Sequence, residues 1–143
     1  MKKAILVFCI TILGILPGVN YASGSGDDNG WTLTKSAGKV DLFYKVGQCN
    51  GETVIFLKFD NKNDQSVSIS WKEAVTDVKF GKTFEGQYGA KQLVLKPGIT
   101  SSDNCSEASV GECVVRMTEI VPTFPAEPKS FEFKEVTVSK SSR

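Results

Sequence analysis

The chain has 143 residues, with 17 Lys and Arg against 16 Asp and Glu, four Cys and no His. That length fits one domain. The lack of histidine excludes Ser-His-Asp and Cys-His catalysis and any zinc site with imidazole ligands. The balanced charge leaves no basic excess for the phosphates of a nucleic acid.

Met1-Lys2-Lys3 is a short basic start, and Ala4 to Leu16 is an almost wholly apolar run of 13 residues. Pro17-Gly18 breaks it, and Ala22-Ser23-Gly24 supplies small residues. This pattern reads as a secretory signal, residues 1–22, cleaved after Ala22, with cleavage after Gly24 as the second choice. The run is short of the roughly 20 apolar residues that span a bilayer. A lipoprotein needs a Cys just after such a run, whereas Cys9 lies within it. Cleavage leaves 121 residues, and the loss of Lys2 and Lys3 leaves 15 basic against 16 acidic side chains. The expected location is secreted or periplasmic, with no membrane insertion after signal removal.

Residues 23–30, SGSGDDNG, read as a flexible lead-in to a β-domain over 31–143. Trp31 to Leu33 is a short first strand. Val40, Leu42, Tyr44 and Val46 alternate with Lys39, Asp41, Phe43 and Lys45 as a half-buried strand. Gly47 to Gly51 reads as a turn. A five-residue turn there pairs the even-numbered face of 40–46 with Val54 and Phe56. The pattern therefore predicts a bulge near Gly47 or Gly51, or strands that are not hairpin partners.

Val54 to Phe59 is the most apolar stretch after the leader and reads as a central strand. Val67, Ile69 and Trp71 alternate with Ser66, Ser68 and Ser70, one face in and one face out. The trio Ile55, Leu57 and Phe59 is expected to face Val67, Ile69 and Trp71, either in a hairpin about Asn63 that pairs Phe59 with Val67 or in a crossover whose strands meet across the core from opposite sheets. Val78 and Phe80 read as an edge strand. Phe84 to Gly89 is ambiguous, and Leu93 and Leu95 form a short strand ended by Lys96-Pro97-Gly98. Ile99 to Glu112 is mostly loop. Val114 to Val121 reads as a strand stopped by Pro122, Pro125 and Pro128. Phe131, Phe133, Val136 and Val138 make the last strand, and their change of phase predicts a bulge. Seven or eight short strands with turn residues every eight to twelve positions are the pattern of an all-β antiparallel sandwich or barrel, and the sandwich is the fold expected here.

Phe56 to Asn61 followed by Val67 to Trp71, and Leu93 to Gly98, resemble the rhythm of extracytoplasmic immunoglobulin-like sandwiches. Cys49-Asn50-Gly51 and the Asn61-Lys62-Asn63 loop resemble small secreted proteins of unknown function of the Bacteroidota type. The resemblance implies an Ig-like fold, the crossover rather than the hairpin between these two strands, and export, and it carries no site residue. The physics of the pattern is local. Asn61 and Asn63 can bond their own backbone and end a strand, while Pro97 and Gly98 turn the chain.

Past the leader stand Cys49, Cys105 and Cys113, and an oxidising compartment favours one bridge. Chain entropy gives about 4 kcal/mol for Cys49 with either partner and about 2.6 kcal/mol for Cys105–Cys113. The eight-residue step from Cys105 to Cys113 crosses a flexible Ser, Glu, Ala and Gly segment that can close on itself. The expected disulfide is therefore Cys105–Cys113, with Cys49–Cys105 as its main rival.

Other chemistry is sparse. Asp60-Asn61-Lys62-Asn63-Asp64 is oxygen-rich, yet Lys62 sits at its centre and the Gly and distal Glu of an EF-hand are missing, so it reads as a solvated connection and not a metal site. The carboxylates Glu73, Asp77, Glu85, Glu107, Glu112 and Glu119 show no clustering for glycoside hydrolysis. Asn104-Cys105-Ser106 matches a glycosylation sequon by chance. Trp71 and Trp31 read as core, and Tyr88 as the exposed aromatic. No cofactor and no catalytic residue is expected. The function expected is a non-catalytic secreted binding or adhesion module for a protein or glycan. The alternatives are an inhibitor or effector that docks the 99–112 loop, and a carboxylate hydrolase.

Overall fold

The computed structural model describes residues 29–106 and 113–141. The expected signal at 1–22 and most of the lead-in lie outside the described residues. The strands are β1 (Thr32–Ala37), β2 (Val40–Cys49), β3 (Glu52–Asn61), β4 (Val67–Asp77), β5 (Thr83–Glu85), β6 (Lys91–Leu95), β7 (Gly98–Ser101), β8 (Val114–Arg116) and β9 (Pro128–Lys140), with one helical turn, α1 (Met117–Ile120). They form two antiparallel sheets packed face to face, an all-β sandwich. The first sheet runs β1-β2-β3, with β7 and β8 sharing the far side of β3. In the second, β4 is central, flanked by β9 on one side and by β6 and β5 on the other.

Alternation builds the core. Ile55, Leu57 and Phe59 of β3 and Val67, Ile69 and Trp71 of β4 share one buried cluster from opposite sheets. Phe59 and Trp71 meet with ring centroids 5.1 Å apart, and Phe133 closes the triangle at 5.7 Å from Phe59 and 6.2 Å from Trp71. The crossover between the two strands is organised by Asn61. Its Oδ1 accepts from the Asn63 N–H at 3.0 Å, and its Nδ2 donates to the carbonyls of Gln65 (3.1 Å) and Leu95 (3.2 Å). One buried amide thus ends β3, shapes the loop and holds β6.

The β2–β3 connection corrects the expected irregularity. The strands form a regular hairpin from Val40↔Asn61 to Cys49↔Glu52. The turn is only Asn50-Gly51, with φ of 53° and 82°, values suited to a two-residue hairpin turn. That length pairs Leu42 with Phe59 and Tyr44 with Leu57, so the even face of β2 matches the odd face of β3 without a bulge.

The bulge in β9 is present. Ser70 pairs with Thr137 and Lys72 with Lys134, so two residues of β9, Glu135 and Val136, oppose Trp71. Glu135 takes φ of 49°. The extra residue switches the inward face from Phe131 and Phe133 to Val136 and Val138.

Two expected strands differ. Val78 to Phe80 is a turn, because Asp77 ends β4 and folds the chain back (below). Val114 to Val121 is a strand of three residues followed by α1. Met117 and Ile120 are both buried. Their spacing of three puts them on one helical face but on opposite faces of a strand.

Both faces of β3 are covered. Val54 and Phe56 point away from the main core into a second cluster with Trp31 and Val114, bordered by Phe43, Cys49 and Cys105. Gly47 leaves the space this needs: a Cβ there would lie 2.3 Å from the Phe56 ring.

Candidate functional site

The disulfide joins Cys49 to Cys105, with Cα atoms 5.4 Å apart. This overturns the expected Cys105–Cys113 pairing. The cause is the split edge beside β3. β7 and β8 flank successive parts of β3, and between them residues 102–106 leave the edge and reach the β2–β3 hairpin end. Cys113 has by then returned to the edge. It is buried in the main core, and its carbonyl accepts from the Leu57 N–H at 2.8 Å. Sequence proximity gave no sign that the two cysteines serve different layers.

The expected 99–112 docking loop is divided by the same topology. Gly98–Ser101 is strand β7, and residues 102–106 are strapped to the hairpin. Glu107 and Glu112 lie outside the described residues. Asn104 Oδ1 accepts from the N–H (3.2 Å) and hydroxyl (2.9 Å) of Ser106, a local turn.

Of the remaining carboxylates, Glu85 and Asp77 have separate partners, whereas Glu73 and Glu119, for which no clustering was expected, share one. Glu85 pairs with Lys134 at 3.0 Å on the surface. Glu73 and Glu119, 46 positions apart in sequence, meet around one cation: Lys91 Nζ is 3.1 Å from Glu73 and 3.5 Å from Glu119. Glu73 lies on the inward face of β4 and is buried. Burial raises its pKa, against the opposing pull of Lys91. A carboxyl of this kind suits general-acid chemistry only where substrate can reach it. Glu73 Oε1 exposes less than 1 Å², while Lys91 and Glu119 are partly exposed, so the trio is a clamp between β4, β6 and α1 that reaches the surface.

Asp77 has the opposite environment. Its Oδ1 accepts from the Phe80 N–H at 2.8 Å and its Oδ2 from the Glu127 N–H at 3.0 Å. These bonds, the Phe80 bond foremost, hold its carboxyl below the usual range. Asp41 is also lowered, by Lys62 and then Ser36.

The signs of these shifts set a pH dependence. The folded state binds the Glu73 proton more tightly than the unfolded chain does, from its ordinary value of 4.5 up to its raised value. Through that window stability rises as pH falls. Asp77 and Asp41 contribute stability that is complete above their ordinary 3.8 and is lost as pH falls through their lowered values. Urea midpoints should therefore rise on acidification toward 4.5 and fall below 3.8. Glu73→Gln should abolish the rise and leave the fall.

Asp77 does more than titrate. The Asp77 N–H donates to the Lys82 carbonyl (2.9 Å), Gly81 N–H to the Asp77 carbonyl (3.0 Å), and Val78 N–H to the Glu127 carbonyl (2.9 Å). With the two side-chain bonds, these fix a turn, residues 78–82, that projects from the end of the second sheet. Val78 is 51% and Phe80 50% exposed. Phe80 stands edge-on to Phe124 at 5.0 Å, which itself meets Phe84 at 5.7 Å. Lys79 Nζ lies 5.2 Å from the Phe80 ring, and Lys82 is exposed beside it. No family model, curated protein or solved structure matches the chain. The site rests on its own geometry.

Sequence reading placed Val78 and Phe80 in a strand and so missed this turn. The signal was present: Asp77, three residues before Phe80, with Gly81 after it, is a side-chain-capped turn pattern. Tyr88 is 74% exposed, as expected, in the β5–β6 connection. Trp71 is buried in the core, and Trp31 is buried in the outer cluster instead. Lys58 Nζ lies over both Trp31 (5.0 Å) and Phe43 (4.3 Å). Among the described residues no group of three or more Cys, Asp or Glu is placed to hold a metal ion, and no helix is long and apolar enough to cross a membrane.

Proposed function

We propose that this chain is a non-catalytic binding module of an exported, Ig-like protein, and that the turn at 78–82 docks it to a protein partner. The observation that carries the reading is a rigid turn with an exposed aromatic. Five hydrogen bonds fix the backbone before any partner arrives, which reduces the ordering cost of binding. Phe80 is a ring-sized anchor already braced by Phe124, and Lys79 and Lys82 form a cationic rim. The Ig-like assignment is supported by β3 and β4 lying in opposite sheets with Trp71 between them. Export is supported by the signal pattern and by a disulfide in the fold. The inhibitor reading has lost its main support, since the bridge ties residues 102–106 to the domain's own hairpin.

A photo-crosslinking amino acid at position 79 should capture a discrete partner from the native extracellular milieu. The same group at Gln92, on the solvent face of β6, should not. Phe80→Ser should cut capture at position 79 strongly with little change in melting temperature. Equal capture at both positions, or capture indifferent to Phe80, would refute the docking role.

A further inference from the structure

The Cys49–Cys105 bridge is not sealed in the core. Both cysteines are partly exposed, and both line a cavity of about 130 Å³ with Asn50, Glu52, Val54, Val114 and Arg116. Thiol–disulfide exchange requires a thiolate to reach one sulfur and the other sulfur to leave. The cavity supplies the access. Among the described residues its charged lining is one cation, Arg116, and one anion, Glu52, so it carries no net charge against a thiolate, and the Glu52 carboxylate accepts from the Thr118 hydroxyl at 2.8 Å. Arg116 is exposed and permanently cationic. The two sulfurs also differ. The Gln48 carbonyl oxygen lies 3.3 Å from Cys105 Sγ, and a carbonyl dipole at that distance disfavours negative charge on Cys105. Cys49 is therefore the better leaving thiolate.

We propose that this disulfide is a native-state exchange site for low-molecular-weight thiols, which form their mixed disulfide at Cys105. The incoming thiolate attacks Cys105 Sγ. The S–S bond breaks, and its electron pair leaves on Cys49, which takes a proton from water. A second thiol molecule can then attack the adduct, releasing the oxidised thiol and a reduced Cys105. Two thiols are oxidised and one protein disulfide is reduced. The step unfastens residues 102–106 from the hairpin while the main core, on the other face of β3, stays closed.

Cys113 is an internal control, because it is buried in that main core. The oxidised protein is incubated with glutathione in native buffer, quenched with iodoacetamide and mapped by mass spectrometry. The expected result is glutathione on Cys105, carbamidomethyl on Cys49, and an unmodified Cys113. Cys113 labelling at the same rate would mean that exchange follows global unfolding, and would overturn the proposal. So would an adduct on Cys49, or a bridge that stays intact until the protein is denatured.

Discussion

Truncating Trp71 to Ala should cost about 3–5 kcal/mol, the range for removing a large aromatic from a closed core. Trp71 is 1% exposed and sits where the two sheets meet. Its ring contacts Phe59 from the opposite sheet and Phe133 from the neighbouring strand. The residue also faces the β9 bulge, where Glu135 and Val136 oppose it. Backbone collapse into the vacated space would have to move that bulge, whose Glu135 is paired with Lys72 at 2.8 Å. Relaxation is therefore limited and the cavity term remains. Against a total stability of about 5–15 kcal/mol for a domain of this kind, the loss is large. Equilibrium urea unfolding measures it as a lower midpoint with an unchanged slope. Trp71→Phe keeps a ring in the same contacts and should cost much less than Trp71→Ala. Similar losses for both would place the stabilisation in the indole itself rather than in packing.

That residue also marks what the sequence makes legible. Alternation in Val67-Ser68-Ile69-Ser70-Trp71 has one inward face, so the register of β4 could be read directly. The bulge in β9 was legible for the same reason, as a change of phase between Phe133 and Val136. Where an error arose, a single local choice carried it. Counting Gly47 to Gly51 as turn shifts the β2–β3 register by three residues, an odd step that exchanges the two faces. Asn50-Gly51 alone supplies both positive φ angles, and Gly47 is in the strand to make room for Phe56. The second face of β3 was less readable, because a central strand is apolar whether its outer cover is a sheet or a strap. Nothing local to Glu73, Lys91 or Glu119 predicts their meeting, which depends on β4, β6 and α1 being packed at one side. The docking turn was hidden by its own composition, since Val78 and Phe80 carry strand propensity while the backbone is set by Asp77.

The cysteines hold the other large effect. Replacing both Cys49 and Cys105 by Ser should lower stability by about 4 kcal/mol, from the entropy released to an unfolded chain once closed over 56 positions. The short Cys105–Cys113 loop would have contributed only about 2.6 kcal/mol by the same argument. The native side of the balance is small by comparison. The strap meets the outer cluster through Cys105, beside Val54, Phe56 and Val114, and Ser102 folds inward with its hydroxyl donating to the Asn104 carbonyl at 3.3 Å. The Ser102 bond survives the substitution and serine keeps most of the Cys105 volume, so the folded state loses little enthalpy. The unfolded state changes most, and it should expand. The denaturant slope should accordingly rise while the midpoint falls, which separates this variant from Trp71→Ala, where the slope is constant. A lower midpoint with no change in slope would mean that the bridge acts through native contacts. In that case the strap, and not the closed loop of the unfolded chain, would be what the disulfide stabilises.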